Sequence, residues 1–232
     1  MFIKLENAVK KYGIGDAEVF ALDGASFSME AGEICVILGP SGSGKSTLLN
    51  MLGGLDRMDS GTLLVGDKTI TEMNAKELTN YRREDIGFVF QFYNLIQDLT
   101  VGENIEVVSD ISKNPLKIDE VMAALEINQL CDRFPTELSG GQQQRVAIAR
   151  SVIKNPRLLL CDELTGALDS KSSREVLKFI QRVNHSFGTT ILIITHNEAI
   201  KDMADRIVRI KDGRVESNEL NAGKIPAEEL RL

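Results

Sequence analysis

An apolar run, Ile34-Cys35-Val36-Ile37-Leu38, gives way to Gly39-Pro40-Ser41-Gly42-Ser43-Gly44-Lys45-Ser46-Thr47 and then to Leu48-Leu49-Asn50-Met51-Leu52. The order is strand, glycine loop, helix. A strand that ends in GxxxxGK[ST] and turns into a helix aims backbone N–H groups, a lysine ammonium and the positive end of a helix dipole into one concavity. That concavity suits a triphosphate. Lys45 is expected to reach the β- and γ-phosphates and the Ser46 hydroxyl to take a Mg²⁺ ligand position, while Gly39, Gly42 and Gly44 let the backbone approach the anion. A chance glycine-serine turn would explain neither the lysine nor the flanks. A phosphate loop does not by itself name an activity.

The chain has 232 residues, 43% of them hydrophobic, enough for one large α/β domain or two small ones. A net charge of −7 opposes a broad basic surface, so no nucleic-acid partner is expected. The longest apolar runs are strand-length, far below the roughly eighteen residues of a membrane span. The start, Met1-Phe2-Ile3-Lys4-Leu5-Glu6, lacks the basic region and apolar core of a signal peptide. The expectation is a cytoplasmic chain that meets a membrane only through a partner. Cys35, Cys131 and Cys161 have no CxxC or metal-ligand spacing and read as small hydrophobes in a reducing compartment.

Along the chain, residues 2 to 9 alternate apolar and polar, and after a turn from Gly13 to Gly15 the segments Val19 to Leu22 and Ala25 to Met29 read as short antiparallel strands. Tyr12 sits beside that turn among polar neighbours. Its ring can stack on a purine, although a lone surface tyrosine is commonly inert. A small hairpin is expected around Gly66-Asp67, a polar helix over 75 to 83, and a strand from Ile86 to Gln91. The aperiodic apolar segment Phe92-Tyr93-Asn94-Leu95-Ile96 reads as a contact surface. From Asn114-Pro115 the pattern turns helical, with proline placed for the first helical position, and residues 95 to 135 interrupt the strands as a helical lobe. With the helix opened by Leu138-Ser139-Gly140-Gly141-Gln142 the lobe extends to about residue 150. The polar tail from Ser217 to Leu232 receives no function, and no repeat appears, so residues 1 to 232 read as one unit.

Three expected strands end in polar residues at the edge where doubly wound sheets bind ligands: Gly39, Asp162-Glu163 and Thr195-His196. Asp162 is the candidate metal partner of the phosphate loop. Glu163, a second carboxylate, can take a proton from an attacking water, against the plainer reading of a helix or turn cap. Ser139 and Gln142 fit a capping box, yet a cap does not require Gly140 and Gly141, which would bring bare N–H groups to a phosphate. Asp169 can cap the next helix.

LSGGQQQR at 138 to 145 resembles the signature motif of the ATP-binding-cassette (ABC) ATPases. GPSGSGKST is similar to their Walker A loop, LLLCDE at 158 to 163 to Walker B, Gln91 to the Q-loop residue, Leu168-Asp169 to the D-loop, His196 to the switch histidine and Tyr12 to the base-stacking aromatic. The motifs stand in order over residues 2 to about 216. The resemblance implies an α/β P-loop NTPase with a mainly parallel core sheet, a small antiparallel β subdomain and a helical subdomain. It implies ATP and Mg²⁺ as cofactors, with Ser46, Gln91 and Asp162 at the metal, and Glu163, His196 and Gln91 in catalysis. The nucleotide would be held by Tyr12, by Gly39, Pro40, Ser41, Gly42, Ser43, Gly44, Lys45, Ser46 and Thr47, and by Ser139, Gly140, Gly141, Gln142 and Asp169, with Ser139 and Gly141 contacting the γ-phosphate across a head-to-tail homodimer. An integral membrane permease would dock near Gln91 to Leu99.

GFVFQFYNLI and DELTGALDS further resemble the branch of macrolide exporters, lipoprotein-release ATPases and cell-division FtsE-like proteins. Leu164 departs from it by standing where proline is usual, and the lobe between Asn104 and Leu138 is short. A nucleotide kinase would explain Lys45 but not Leu138 to Gln142. Repair ABC ATPases need a long coiled coil that the stretch from Gln91 to Leu138 cannot hold, and translation factors need two cassettes. An FtsE-like ATPase that regulates a cell-wall or division complex without transport stays open beside export.

Overall fold

The computed structural model describes residues 1–13, 15 and 18–232. Strands β1 (Ile3–Tyr12), β2 (Val19–Met29) and β3 (Ile34–Leu38) lead to helix α1 (Lys45–Leu52), then β4 (Ser60–Val65), β5 (Lys68–Thr69), α2 (Ala75–Glu84) and β6 (Ile86–Val89). Helices α3 (Val101–Asp110), α4 (Ile118–Ala124) and α5 (Gly140–Val152) precede β7 (Leu158–Asp162), α6 (Ser170–Phe187) and β8 (Thr190–Thr195). The hairpin of β9 (Arg206–Lys211) and β10 (Arg214–Leu220) follows.

Two sheets organise these elements. β2-β1-β4-β5 is antiparallel, and the larger sheet runs β10-β9-β3-β8-β7-β6 with every neighbour parallel except β9 and β10. Because side chains alternate across a strand, a strand covered on both faces must be apolar throughout. In β3 Ile34, Val36 and Leu38 join one core with α5, α6 and the helical lobe, while Cys35 and Ile37 join a second with α1 and the antiparallel sheet. β7 and β8 divide in the same way, so Leu159 and Ile193 face the first core and Leu160 and Ile194 the second. Parallel pairing in register then brings the C-terminal ends of β3, β7 and β8 to one edge, with Asp162 opposite Ile194 and Leu38 opposite Thr195.

Several expectations are corrected. Val19 to Leu22 and Ala25 to Met29 form one strand, because a register shift opposite Val9 absorbs Gly24, at φ +73°, as a bulge instead of a turn. The expected turn from Gly13 to Gly15 lies partly outside the described residues. β6 stops at Val89, leaving Gln91 in the following loop. α4 begins after Lys117, so Pro115 precedes the helix instead of opening it. α3 is an additional helix, started by a capping box in which the Thr100 hydroxyl accepts from Glu103 N and the Glu103 carboxylate from Thr100 N. Within Phe92 to Ile96 only part is surface: Phe92 is 75% exposed, whereas Leu95 is 7% exposed and belongs to the core. β10 continues through Ser217 to Leu220, and the tail beyond packs Ala227 and Leu230 into the core beside α6.

α3 and α4 pack against α5, and α4 also against α6. Arg145 and Arg182 both lie over the Phe179 ring and donate to carbonyls at the end of α4, Leu125 and Glu126 for Arg145 and Ala124 for Arg182. Carbonyls that a helix end leaves unpaired are thus satisfied by side chains from α5 and α6. Leu164 is buried in the core, so the departure from proline is accommodated as packing.

Candidate nucleotide-binding site

A cleft of about 740 Å³ lies at the C-terminal edge of the parallel sheet. Tyr12, Val19, Phe20 and Ala21 from the antiparallel sheet form one wall, Ser41, Gly42 and residues 44–47 of the glycine loop another, and Gln91, Asp162, Glu163 and His196 supply the polar side chains opposite. Its size falls within the range of small-molecule sites.

The helix that rises from this cleft is left open to an anion. Among the described residues four α-helices carry a side-chain cap, Asn74 on α2, Thr100 on α3, Ser139 on α5 and Asp169 on α6, and α4 has Asp119 and Glu120 in its first turn. Among the described residues, α1 is the α-helix with neither a capping side chain nor an acidic residue in its first turn. Its free N–H groups and positive dipole end face the cleft. Gly44 precedes it at φ +99°, where a Cβ would collide with the Ala21 carbonyl oxygen, and Gly42 at φ +79° has open space where a Cβ would stand. The loop is therefore a cradle of bare backbone.

Lys45 folds over this cradle, its Nζ donating to the carbonyls of Gly39 at 2.7 Å and Pro40 at 2.8 Å. Burial draws its ammonium below the ordinary lysine range, opposed by the charges of Glu163 and Asp162. Asp162 is displaced the other way: burial, then the neighbouring Glu163 charge, raise it above the usual carboxylate range, with Lys45 opposing. A divalent cation would relieve that displacement. Among the described residues no three His, Cys, Asp or Glu side chains cluster as a metal cage. One carboxylate, one hydroxyl and one amide, from Asp162, Ser46 and Gln91, fit Mg²⁺, which keeps water and phosphate oxygens as its other ligands.

Among the residues that line the cleft, Glu163 is the non-glycine one with a positive φ. It adopts φ +46°, a left-handed conformation that costs a non-glycine residue on the order of 1–3 kcal/mol and is found at functional sites. The bond from its N–H to the Ile194 carbonyl at 3.0 Å holds it there. Its Oε2 accepts from Thr195 Oγ1 at 3.2 Å and its Oε1 lies 3.0 Å from His196 Nδ1. The carboxylate is one-fifth exposed and the imidazole 71% exposed, so the pair sits at the mouth of the cleft.

The other expected site residues fall into two groups. Gly39 and Pro40 line an adjoining hollow with His196, Glu198 and Arg209, and Ser43 is buried beneath the loop. Ser139, Gly140, Gly141, Gln142 and Asp169 do not line the cleft. Ser139 and Gln142 make the reciprocal capping box expected of them. Asp169 caps α6 by accepting from Lys171 N and Ser172 N, and Ser172 packs beside Gly141. Gly140 is held against Tyr93 and Leu168, since a Cβ there would come within 2.8 Å of the Tyr93 hydroxyl. Sequence reading did not single out Val19 and Phe20, which join the cleft because β2 pairs Val19 with Tyr12.

Residues 22–166 match the family model of the ABC transporter. An ABC transporter ATP-binding protein of Mycoplasma pneumoniae is 44% identical over 206 residues, which are 88% of this chain and 61% of that protein. The macrolide export ATP-binding/permease protein MacB of Hyphomonas neptunium is 41% identical over 94% of this chain and 35% of its own length. Thus the chain spans about three-fifths or less of these curated relatives. A dimeric ATP-binding cassette, MJ0796, solved in a post-hydrolysis state with ADP and Pi, superposes with a TM-score of 0.82 at 37% identity, covering 94% of this chain and 98% of that one. By family match, sequence identity and fold together, this chain belongs to the ABC transporter family as one of its ATP-binding cassettes.

Proposed function

We propose that residues 1 to 232 act as a single ATP-hydrolysing cassette that powers a separate membrane permease of the macrolide, peptide or lipoprotein export type. The observation that carries the nucleotide reading is α1, uncapped and unopposed by acid, opening into a cradle of glycine backbone. Relatives named as ATP-binding/permease proteins support the coupling to export. No helix among the described residues is long and apolar enough to cross a membrane. The cassette would then sit at the cytoplasmic face of the membrane through that permease.

In this reading the N–H groups of the loop and Lys45 bind the β- and γ-phosphates, and the Tyr12 ring stacks on the base. Ser46, Asp162 and Gln91 would hold Mg²⁺, which neutralises phosphate charge when bound. Glu163 accepts the proton of the attacking water as its oxygen bonds to the γ-phosphorus and ADP departs, and His196 keeps the carboxylate aimed. Ser139, Gly140, Gly141 and Gln142 complete the site of a second copy, together with its Asp169. That they lie outside this chain's own cleft, on a capped helix end with two bare glycines, supports a head-to-tail dimer. Phosphate release from Mg-ATP by the purified chain tests the hydrolytic reading; no release at any protein concentration would reject it.

A further inference from the structure

The ring that walls the cleft is held from behind. Tyr12 is the last residue of β1, and its hydroxyl donates to Asp56 Oδ2 at 2.6 Å, across 44 residues of sequence. Asp56 lies in the turn after α1 and does not line the cleft. Its other oxygen accepts from Lys10 Nζ at 2.8 Å and from Arg57 N at 2.7 Å. Lys10 is anchored in turn on the Arg57 carbonyl at 2.8 Å and keeps only 12% of its side chain exposed. Both carboxylate oxygens are therefore committed, one to the phenol and one to fixed donors.

We propose that Asp56 is a positioning residue for the nucleotide base: it fixes the Tyr12 phenol, and with it the plane of the ring on which the purine stacks. This rests on the reading of Tyr12 as the stacking residue. An aromatic side chain at a strand end, 45% exposed, would otherwise lose rotamer freedom when the base binds. Asp56 moves that loss from binding to folding, which is how preorganisation raises affinity. The carboxylate suits the task because a charge-assisted bond to a phenol is stronger than a neutral one. Burial works against its ionisation, yet the bonds from Lys10, Tyr12 and Arg57 keep it below the usual carboxylate range. It is thus charged wherever the protein is folded at neutral pH.

The experiment compares the wild type with Asp56→Ala, Asp56→Asn, Tyr12→Phe, Tyr12→Ala and the double variant Asp56→Ala with Tyr12→Phe. Affinities for ATP and for inorganic tripolyphosphate are measured by titration calorimetry, and KM and kcat by phosphate release. Asp56→Ala and Tyr12→Phe should each weaken ATP binding about two- to tenfold, the double variant no further than either alone. Tripolyphosphate, which has no base, should bind all of them alike, and the loss should fall on KM instead of kcat. Asp56→Asn keeps an oxygen acceptor and should recover part of the loss. Equal losses for ATP and tripolyphosphate, additive losses in the double variant, or a fall in kcat alone would assign Asp56 a structural role and overturn the proposal. If Tyr12→Ala weakens ATP binding while Asp56→Ala does not, the positioning role alone fails. If Tyr12→Ala binds ATP at wild-type affinity, the stacking reading fails with it.

Discussion

Glu163 and His196 meet at 3.0 Å, Oε1 to Nδ1, and the second oxygen of Glu163 accepts from Thr195 Oγ1. Thr195 ends β8 and His196 follows it, and β8 is the parallel neighbour of the strand that leads into Glu163, so the parallel register itself sets this geometry. His196→Ala removes one of the two side chains that orient the carboxylate. Turnover should fall roughly 10²-fold, the scale of a misplaced catalytic group, with Mg-ATP affinity nearly unchanged. Phosphate release at saturating Mg-ATP checks this, and wild-type turnover would remove His196 from the reaction.

Lys45→Ala takes the loop's only side-chain cation away and leaves its backbone donors in place. A hydrogen bond to a charged group is worth about 1.5–3 kcal/mol, so ATP affinity should drop about 10- to 100-fold. Titration calorimetry reads it directly. Unchanged affinity would show that the phosphates bind elsewhere.

The exposed loop and the core part company between Phe92 and Leu95. Phe92→Asp places a charge in solvent and should leave the thermal midpoint unchanged while abolishing co-purification with the membrane subunits. Leu95→Asp buries an unpaired charge and should cost roughly 3–5 kcal/mol in chemical unfolding. Two variants of equal stability would contradict the burial pattern, and normal co-purification of Phe92→Asp would reject this surface as the permease contact.

Much of this arrangement is legible in the residues themselves. The glycine loop and the strands ending at Asp162 and Thr195 follow from local pattern, because strands buried on both faces must be continuously apolar and a phosphate cradle needs glycine. Asp169 and the Ser139–Gln142 box are equally local. α3 is harder to see, since Val101 and Ile105 are buried while Val107 and Ile111 face solvent, which blurs the helical period. The Thr100 and Glu103 pair was its available signal. β10 beyond Val215 is an edge strand, held by backbone pairing to β9 and short of apolar residues. Neither the left-handed conformation of Glu163 nor the bond from Tyr12 to Asp56 has any local signature, because each depends on partners brought together by the sheet.

Acid should expose a different contact. Arg209 forms two bonds to Glu198, which, with Lys201 and against burial, hold its carboxyl at about 2. The folded value lies below the ordinary 4.5, so this contribution to stability is complete above pH 4.5 and is lost as pH falls toward 2. Urea unfolding between pH 6 and pH 2.5 should therefore show a steeper loss for the wild type than for Glu198→Gln. Parallel curves would mean that the pair contributes nothing in solution.

Glu163 carries the chemical step of the proposed cycle. Glu163→Gln keeps the shape and an acceptor for Thr195 but cannot take the proton of the attacking water, so hydrolysis should fall roughly 10²- to 10⁴-fold while ATP still binds. With nucleotide bound and not consumed, the contacts across the two-fold interface should persist. Phosphate release measured beside size-exclusion chromatography should find an inactive protein that is dimeric in Mg-ATP and monomeric without it. A Glu163→Gln protein that hydrolyses ATP at the wild-type rate and stays monomeric would contradict both the catalytic role and the shared site.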